Sequence, residues 1–158
     1  MEYLCYIDIF ALIVATLIHD IGHPGLNNAF LVATESTLAI RYNDTSPLEN
    51  FHCCSGWQII TQEGTNIIEN LTSGQRAEFR LMLTNTVLSS DPARTVEVIS
   101  KFEGIMNQYD KTSHSHRLVF GQFLLKCADV SNPVRAFPVS RYWAEMIQSE
   151  FFLQVCAA

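Results

Sequence analysis

The run from Ile9 to Ile18 is apolar except for Thr16, and it stops abruptly on His19-Asp20-Ile21-Gly22-His23-Pro24-Gly25. A helix that is apolar nearly all round has to lie in a core or in a membrane. This run is about half of the roughly 20 residues that span a bilayer. Its flank, Met1 to Asp8, carries Glu2 and Asp8 but no Lys or Arg, so it lacks the charged start of a signal peptide. A buried core helix is what remains. Because it starts almost at the first residue, with little ahead to cover it, further sequence is expected upstream. Gly22, Pro24 and Gly25 then enforce a break.

The rest of the chain reads as helix. Short segments are expected around Asn28 to Ala33 and Glu35 to Tyr42. Ser46-Pro47-Leu48-Glu49 has the form of a helix start, with serine as N-cap, proline at N1 and glutamate at N3. Thr72-Ser73-Gly74-Gln75 repeats that capping logic ahead of Phe79, Met82, Leu83 and Val87, which share one helical face. Asp91-Pro92 opens another helix, Asp110 to His116 is a polar loop, and Leu118 to Val130 is an apolar helix stopped by Asn132-Pro133. Val139, Tyr142, Trp143, Met146 and Ile147 keep helical spacing toward the end. No alternating strand, hairpin signal or repeat stands out, so the fold class is all-α.

With 158 residues, 48% of them hydrophobic and 16% charged, the chain is one domain or part of one, with enough apolar residues for a real core. A net charge of −6 leaves no basic footprint for nucleic acid. The five cysteines (Cys5, Cys53, Cys54, Cys127 and Cys156) are odd in number and form no C-x-x-C. That pattern argues against a disulfide framework or zinc knuckle and for a reducing, cytoplasmic compartment.

Few residues could carry chemistry. His19 and His23, four apart, resemble the ends of the H-E-x-x-H of zinc peptidases, but that motif needs an unbroken helix and Gly22-x-Pro24 interrupts this one. Adjacent His19-Asp20 suits another geometry, in which an imidazole binds a borderline ion while the carboxylate bridges to a harder one. The plainer alternative is that both residues merely cap helix ends. Asp129, in "LLKCADVSNP", has apolar neighbours; it needs a cation, pairs with Lys126 on a solvated stripe, or caps the nearby helix end. Glu49 has its capping role as a full explanation, His52 reads equally as a partly buried histidine, and Ser90-Asp91 as a helix junction. His114 and His116 read as solvated loop residues.

Taken together, "ALIVATLIHDIGHPGLNNAF", "LAIRYNDTSPLENFH", "VLSSD", "LLKCADVSNPVR" and "EFFLQ" resemble, in order and at compatible separations, the catalytic domain of class I cyclic-nucleotide phosphodiesterases. The resemblance runs from about Ile9 to Gln154 and implies a compact, HD-like helical fold, of which residues 1–158 would be the central part. It implies a two-cation site, zinc-like and magnesium- or manganese-like, with His19, Asp20 and Asp129 as ligands and Asp20 bridging. His23, Glu49 and Ser90 match positions that hold the second cation's waters, and His52 and Asp91 match their neighbours. Asp20, Asp129 and Asn132 match positions facing the substrate, a 3′,5′-cyclic nucleotide (cAMP or cGMP) that would be hydrolysed to the 5′-monophosphate. Such a cation pair supplies a nucleophile at neutral pH and neutralises phosphate oxygens.

Two positions depart from the family pattern. Gly22 stands where the family has an acid, and Phe51-His52 where it has two histidines. No residue matches the upstream H-N-x-x-H, with its general-acid histidine and remaining histidine ligand, or the downstream glutamine and phenylalanine that hold the base. The 158 residues alone are therefore expected to be weakly active or inactive. A truncated, non-catalytic binding module is the competing expectation. No membrane insertion is expected, and oligomeric state cannot be read from the sequence.

Overall fold

A computed structural model describes residues 3–155 as eight α-helices with no strand among them. They are α1 (Tyr6–Ile18), α2 (Asn28–Ala33), α3 (Thr37–Arg41), α4 (Pro47–Ile60), α5 (Ser73–Leu88), α6 (Thr95–Met106), α7 (His114–Asp129) and α8 (Phe137–Val155). Single 3₁₀ turns at Pro92–Arg94 and Asn132–Val134 precede α6 and α8. The all-α expectation holds. None of the described helices is long and apolar enough to cross a membrane.

The centre is α1 laid along α5, with α4 and α7 also packed on α5, and α6 packed on α7. Ala11, Val14, Ala15 and Ile18 of α1 meet Phe79, Met82, Leu83 and Val87 of α5, all buried, with Ile60 and Ile68 closing the cluster. The shared face read for α5 is therefore the core face. Helix α1 is buried on one side only, since Tyr6, Ile13 and Leu17 are exposed. Small residues let α4 approach: a Cβ on Gly56 would lie 2.4 Å from Ile18 Cδ1 and 2.9 Å from Ile18 Cβ. Ile18 is the last residue of α1 and the direct neighbour of His19, so this crossing sets where the histidine emerges.

The opposite ends of α1 and α7 are tied by charge. Arg117 Nε donates to Asp8 Oδ2 at 2.6 Å, and both side chains are largely buried. The same oxygen accepts from the Cys5 amide at 3.1 Å, which closes the start of α1. Asp129 and His19 sit at the other ends of these two helices, so the α1–α7 pairing brings them together.

Several local expectations are corrected. Glu35 lies outside α3 with φ +49, and Ser36 caps that helix by accepting from the Ala39 amide. Helix α7 starts at His114, capped by Ser113, so the polar loop is shorter than read and His114 is half-buried rather than solvated. Asp91-Pro92 opens a 3₁₀ turn, with α6 following from Thr95. The periodic face of α8 forms as a helix, but Val139, Tyr142, Trp143, Met146 and Ile147 are all exposed. The Thr72–Gln75 capping box is present in both directions. Cys5, Cys53, Cys54 and Cys127 are free thiols; Cys156 lies outside the described residues.

Candidate functional site

His19 is the C-cap of α1, and the chain turns immediately after it. Its Nδ1–H donates to Thr16 O at 2.8 Å, which leaves Nε2 facing outward. Nε2 lies 3.2 Å from Asp20 Oδ2 and 3.8 Å from Asp129 Oδ1. One ligand-type atom from each of the three residues lies within 4.8 Å of the others. The neighbouring carboxylates of Asp129, then Asp20, raise the His19 imidazole to about 10, so the pocket between them favours positive charge. Asp20 is held below its ordinary value, chiefly by the His19 hydrogen bond. Asp129 is not the buried carboxylate its apolar neighbours suggested: its side chain is 31% exposed.

A second tier stands on α4. His52 is buried, and its Nδ1–H donates to Ile21 O at 2.8 Å. Its Nε2 lies 4.0 Å from Asp20 Oδ1, and its ring stacks on His23 with centroids 5.7 Å apart. Burial pushes His52 below its ordinary value. His23 Nδ1 accepts from the Gly25 amide at 3.0 Å, which fixes the imidazole within the turn. Beside His52, the Phe51 ring covers Gly22, where a Cβ would lie 3.1 Å from Phe51 Cε1. Gly22 also has φ +69, a region that penalises any Cβ. Gly22→Ala is accordingly expected to cost about 1–3 kcal/mol from backbone strain and overpacking. Thermal melts check this, and Phe51→Ala in the same chain should recover the steric part but not the backbone part.

Glu49 is not the capping-box residue it resembled. Ser46 adopts φ +43 and makes no cap hydrogen bond; its hydroxyl donates instead to Asp91 Oδ2 at 2.7 Å. Asn28, from α2, takes over the cap by accepting from the Leu48 amide at 3.0 Å, while its Nδ2 donates to Glu49 Oε2 at 2.8 Å. Glu49 is thus buried and aimed by a residue of another helix, and burial raises its carboxyl above the ordinary value. Asp91 is buried and accepts from the Ala93 amide as well as from Ser46. Ser90 is buried with its hydroxyl given to Val87 O at 2.8 Å. Asn132 Nδ2 donates to Ser140 O at 3.1 Å, and its Oδ1 is buried without a partner.

The structure therefore brings His19, Asp20 and Asp129 together, with His52 next to Asp20 and His23 next to His52. Glu49 is held by Asn28 and Asp91 by Ser46, while the Asn132 hydrogen bond is local. Sequence reasoning missed Asn28 and Ser46 in these roles, since their partners are 20 and 45 positions away. Of the alternatives open for Asp129, the solvated pair with Lys126 does not form: Lys126 is buried and makes no ion pair with Asp129 among the described residues.

The chain is similar in sequence and in structure to known proteins. The family described as 3′5′-cyclic nucleotide phosphodiesterase matches residues 1–157. The human high affinity cGMP-specific 3′,5′-cyclic phosphodiesterase 9A is 35% identical over 147 residues, covering 93% of this chain and 25% of that protein. The rat 3′,5′-cyclic-AMP phosphodiesterase 4C is 36% identical over 156 residues, covering 94% and 29%. The crystal structure of the phosphodiesterase domain of the RhoPDE fusion protein from the choanoflagellate Salpingoeca rosetta superposes with a TM-score of 0.94 at 33% identity, covering 98% of this chain and 50% of that one. The chain thus spans about a quarter of these curated relatives and half of the solved domain.

Proposed function

Because the chain belongs to the 3′5′-cyclic nucleotide phosphodiesterase family, we propose that it forms the central part of a catalytic domain that hydrolyses cAMP, cGMP or both to the 5′-monophosphate. The observation that carries this reading is the convergence of His19, Asp20 and Asp129 within 4.8 Å. One imidazole nitrogen and two carboxylates suit a zinc-like ion, and Asp20, whose second oxygen faces His52, suits sharing with a magnesium- or manganese-like ion. The Nδ1–H bond from His19 to Thr16 O is the support that metal-binding histidines ordinarily have, and it leaves Nε2 free to coordinate. When bound, such a pair supplies Lewis acidity at the phosphate and a water nucleophile at neutral pH.

The chain's own residues do the arranging. His52 holds the Ile21 carbonyl and so fixes the turn that presents Asp20. Asn28 aims the Glu49 carboxyl, which with His23 and Ser90 is proposed to orient water around the second ion. Asp91 secures the α4 start through Ser46. Asn132, three residues past Asp129, is proposed to face the nucleotide. The family resemblance leaves the general acid without a counterpart in these residues. We expect the 158 residues alone to turn over substrate roughly 10²- to 10⁴-fold more slowly than a domain that has it.

The exposed apolar face of α8 favours a second reading, an interaction module without turnover. Replacing the matching half of the Salpingoeca rosetta domain with this chain separates the two. Under the first reading the chimera hydrolyses cAMP or cGMP with Mg²⁺ or Mn²⁺, and Asp129→Ala removes the activity. A folded chimera whose turnover ignores Asp129→Ala, or that has none, supports the second.

A further inference from the structure

Lys126 is only 3% exposed, yet no carboxylate pairs with it among the described residues. Buried lysines are rare and ordinarily paired, because an ammonium loses its hydration on burial. Here Nζ donates to two backbone carbonyls, Ser90 O at 2.6 Å and Asp91 O at 3.2 Å. Both lie just past the C-cap of α5, at the negative end of the helix dipole, and Asp91 O also accepts from the Arg94 amide at 3.0 Å. The site described above uses the side chains of Ser90 and Asp91 but assigns Lys126 no part.

Its position in the chain gives it one. Lys126 and Asp129 are three residues apart on α7, so they project from neighbouring points of one helix. Lys126 grips the α5 exit, Asp91 at that exit accepts from Ser46 just ahead of α4, and Asn28 of α2 holds Glu49 within α4. Hydrogen bonds therefore run from the helix carrying Asp129 through Ser90 and Asp91 to Ser46, the residue that leads directly into the helix carrying Glu49. Burial pushes the Lys126 ammonium below its ordinary value, and the charges of Asp129, Asp91 and Glu49 oppose that.

Resting on the phosphodiesterase reading, we propose that Lys126 is a positioning residue: its buried ammonium clamps the Ser90–Asp91 backbone to α7 and so sets the distance between Asp129 and the opposite wall of the cation site. It touches neither cation nor substrate.

Cobalt, whose visible absorption reports ligand geometry, tests this on the 158-residue chain, with each protein held well below its melting temperature. Wild type is expected to bind Co²⁺ and Asp129→Ala to lose it; no binding by wild type, or equal binding by both, overturns the phosphodiesterase reading and the inference with it. Where those two differ, Lys126→Met is expected to weaken Co²⁺ about 10- to 100-fold with an altered spectrum. Lys126→Arg, which keeps the charge and the donors, is expected to recover most of the affinity. Lys126→Gln replaces Lys126→Met, under the same criterion, if the latter does not fold. An unchanged affinity and spectrum would overturn the inference while leaving the site reading intact. Tighter binding would do the same, by showing that the ammonium merely repels the cation. Failure of both variants to fold would mark Lys126 as structural and also overturn it.

Discussion

Gly56→Val is expected to lower the melting temperature by roughly 5–10 °C, from a net loss of about 2–3 kcal/mol. A Cβ at this point already falls 2.4 Å from Ile18 Cδ1 and 2.9 Å from Ile18 Cβ, and the latter belongs to the stiff part of a β-branched side chain. Valine adds two methyls to that clash. The gain from replacing a mid-helix glycine, at most about 1 kcal/mol, does not offset it. Helices α4 and α1 have to move apart, and Ile18 carries His19 with it. Divalent-cation binding should therefore weaken along with stability. Calorimetry of Gly56→Val, Ile18→Ala and the double variant checks the mechanism: coupling between the two sites is expected, and simple additivity would place the damage elsewhere.

Asp20→Asn is expected to do the reverse, removing function while sparing the fold. The side chain is 62% exposed, so its loss should change stability by no more than about 0.5 kcal/mol. Among the described residues it is also the one carboxylate that faces both His19 and His52, at 3.2 and 4.0 Å. An amide keeps the shape but loses the charge, which is the part a cation needs. In the chimeric domain, turnover should fall more than about 100-fold, beyond what loss of an outer partner of a metal ligand costs. Parallel melting curves separate this from unfolding. The contrast between a stable, inactive Asp20→Asn and an unstable Gly56→Val is what distinguishes a site residue from the scaffold that aims it.

How much of this was legible depended on how far apart the interacting residues lie in sequence. The capping box of Thr72 and Gln75 was readable because both halves fall within one turn. Ser46-Pro47-Leu48-Glu49 has the same local form, yet Asn28 takes the cap and Ser46 turns to Asp91, and no local pattern encodes partners 20 and 45 positions away. The i, i+3 spacing of Lys126 to Asp129 left an exposed pair open, whereas the packing of α7 on α5 sinks Lys126 between helices. The periodicity of α8 was correct as helix and uninformative about burial, which depends on what lies opposite. His19 and Asp129 are 110 positions apart, so spacing alone could not join them. The family resemblance singled out both, and the α1–α7 packing shows how they meet. The break after His19 was legible, since Gly22 at φ +69 turns the chain, whereas the fit of the Phe51 ring over the same glycine depends on packing and was not.

The most direct test of the central proposal is Zn²⁺ binding by the purified chain, measured by equilibrium dialysis and thermal shift. A ligand held only by the folded state raises the melting temperature as its concentration exceeds the dissociation constant. Wild type is expected to retain Zn²⁺ and melt higher with it, whereas His19→Ala, Asp20→Asn and Asp129→Ala each lose both responses while staying folded. A wild-type chain that ignores Zn²⁺, or variants that respond as it does, would contradict the assignment of His19, Asp20 and Asp129 as one metal-binding wall.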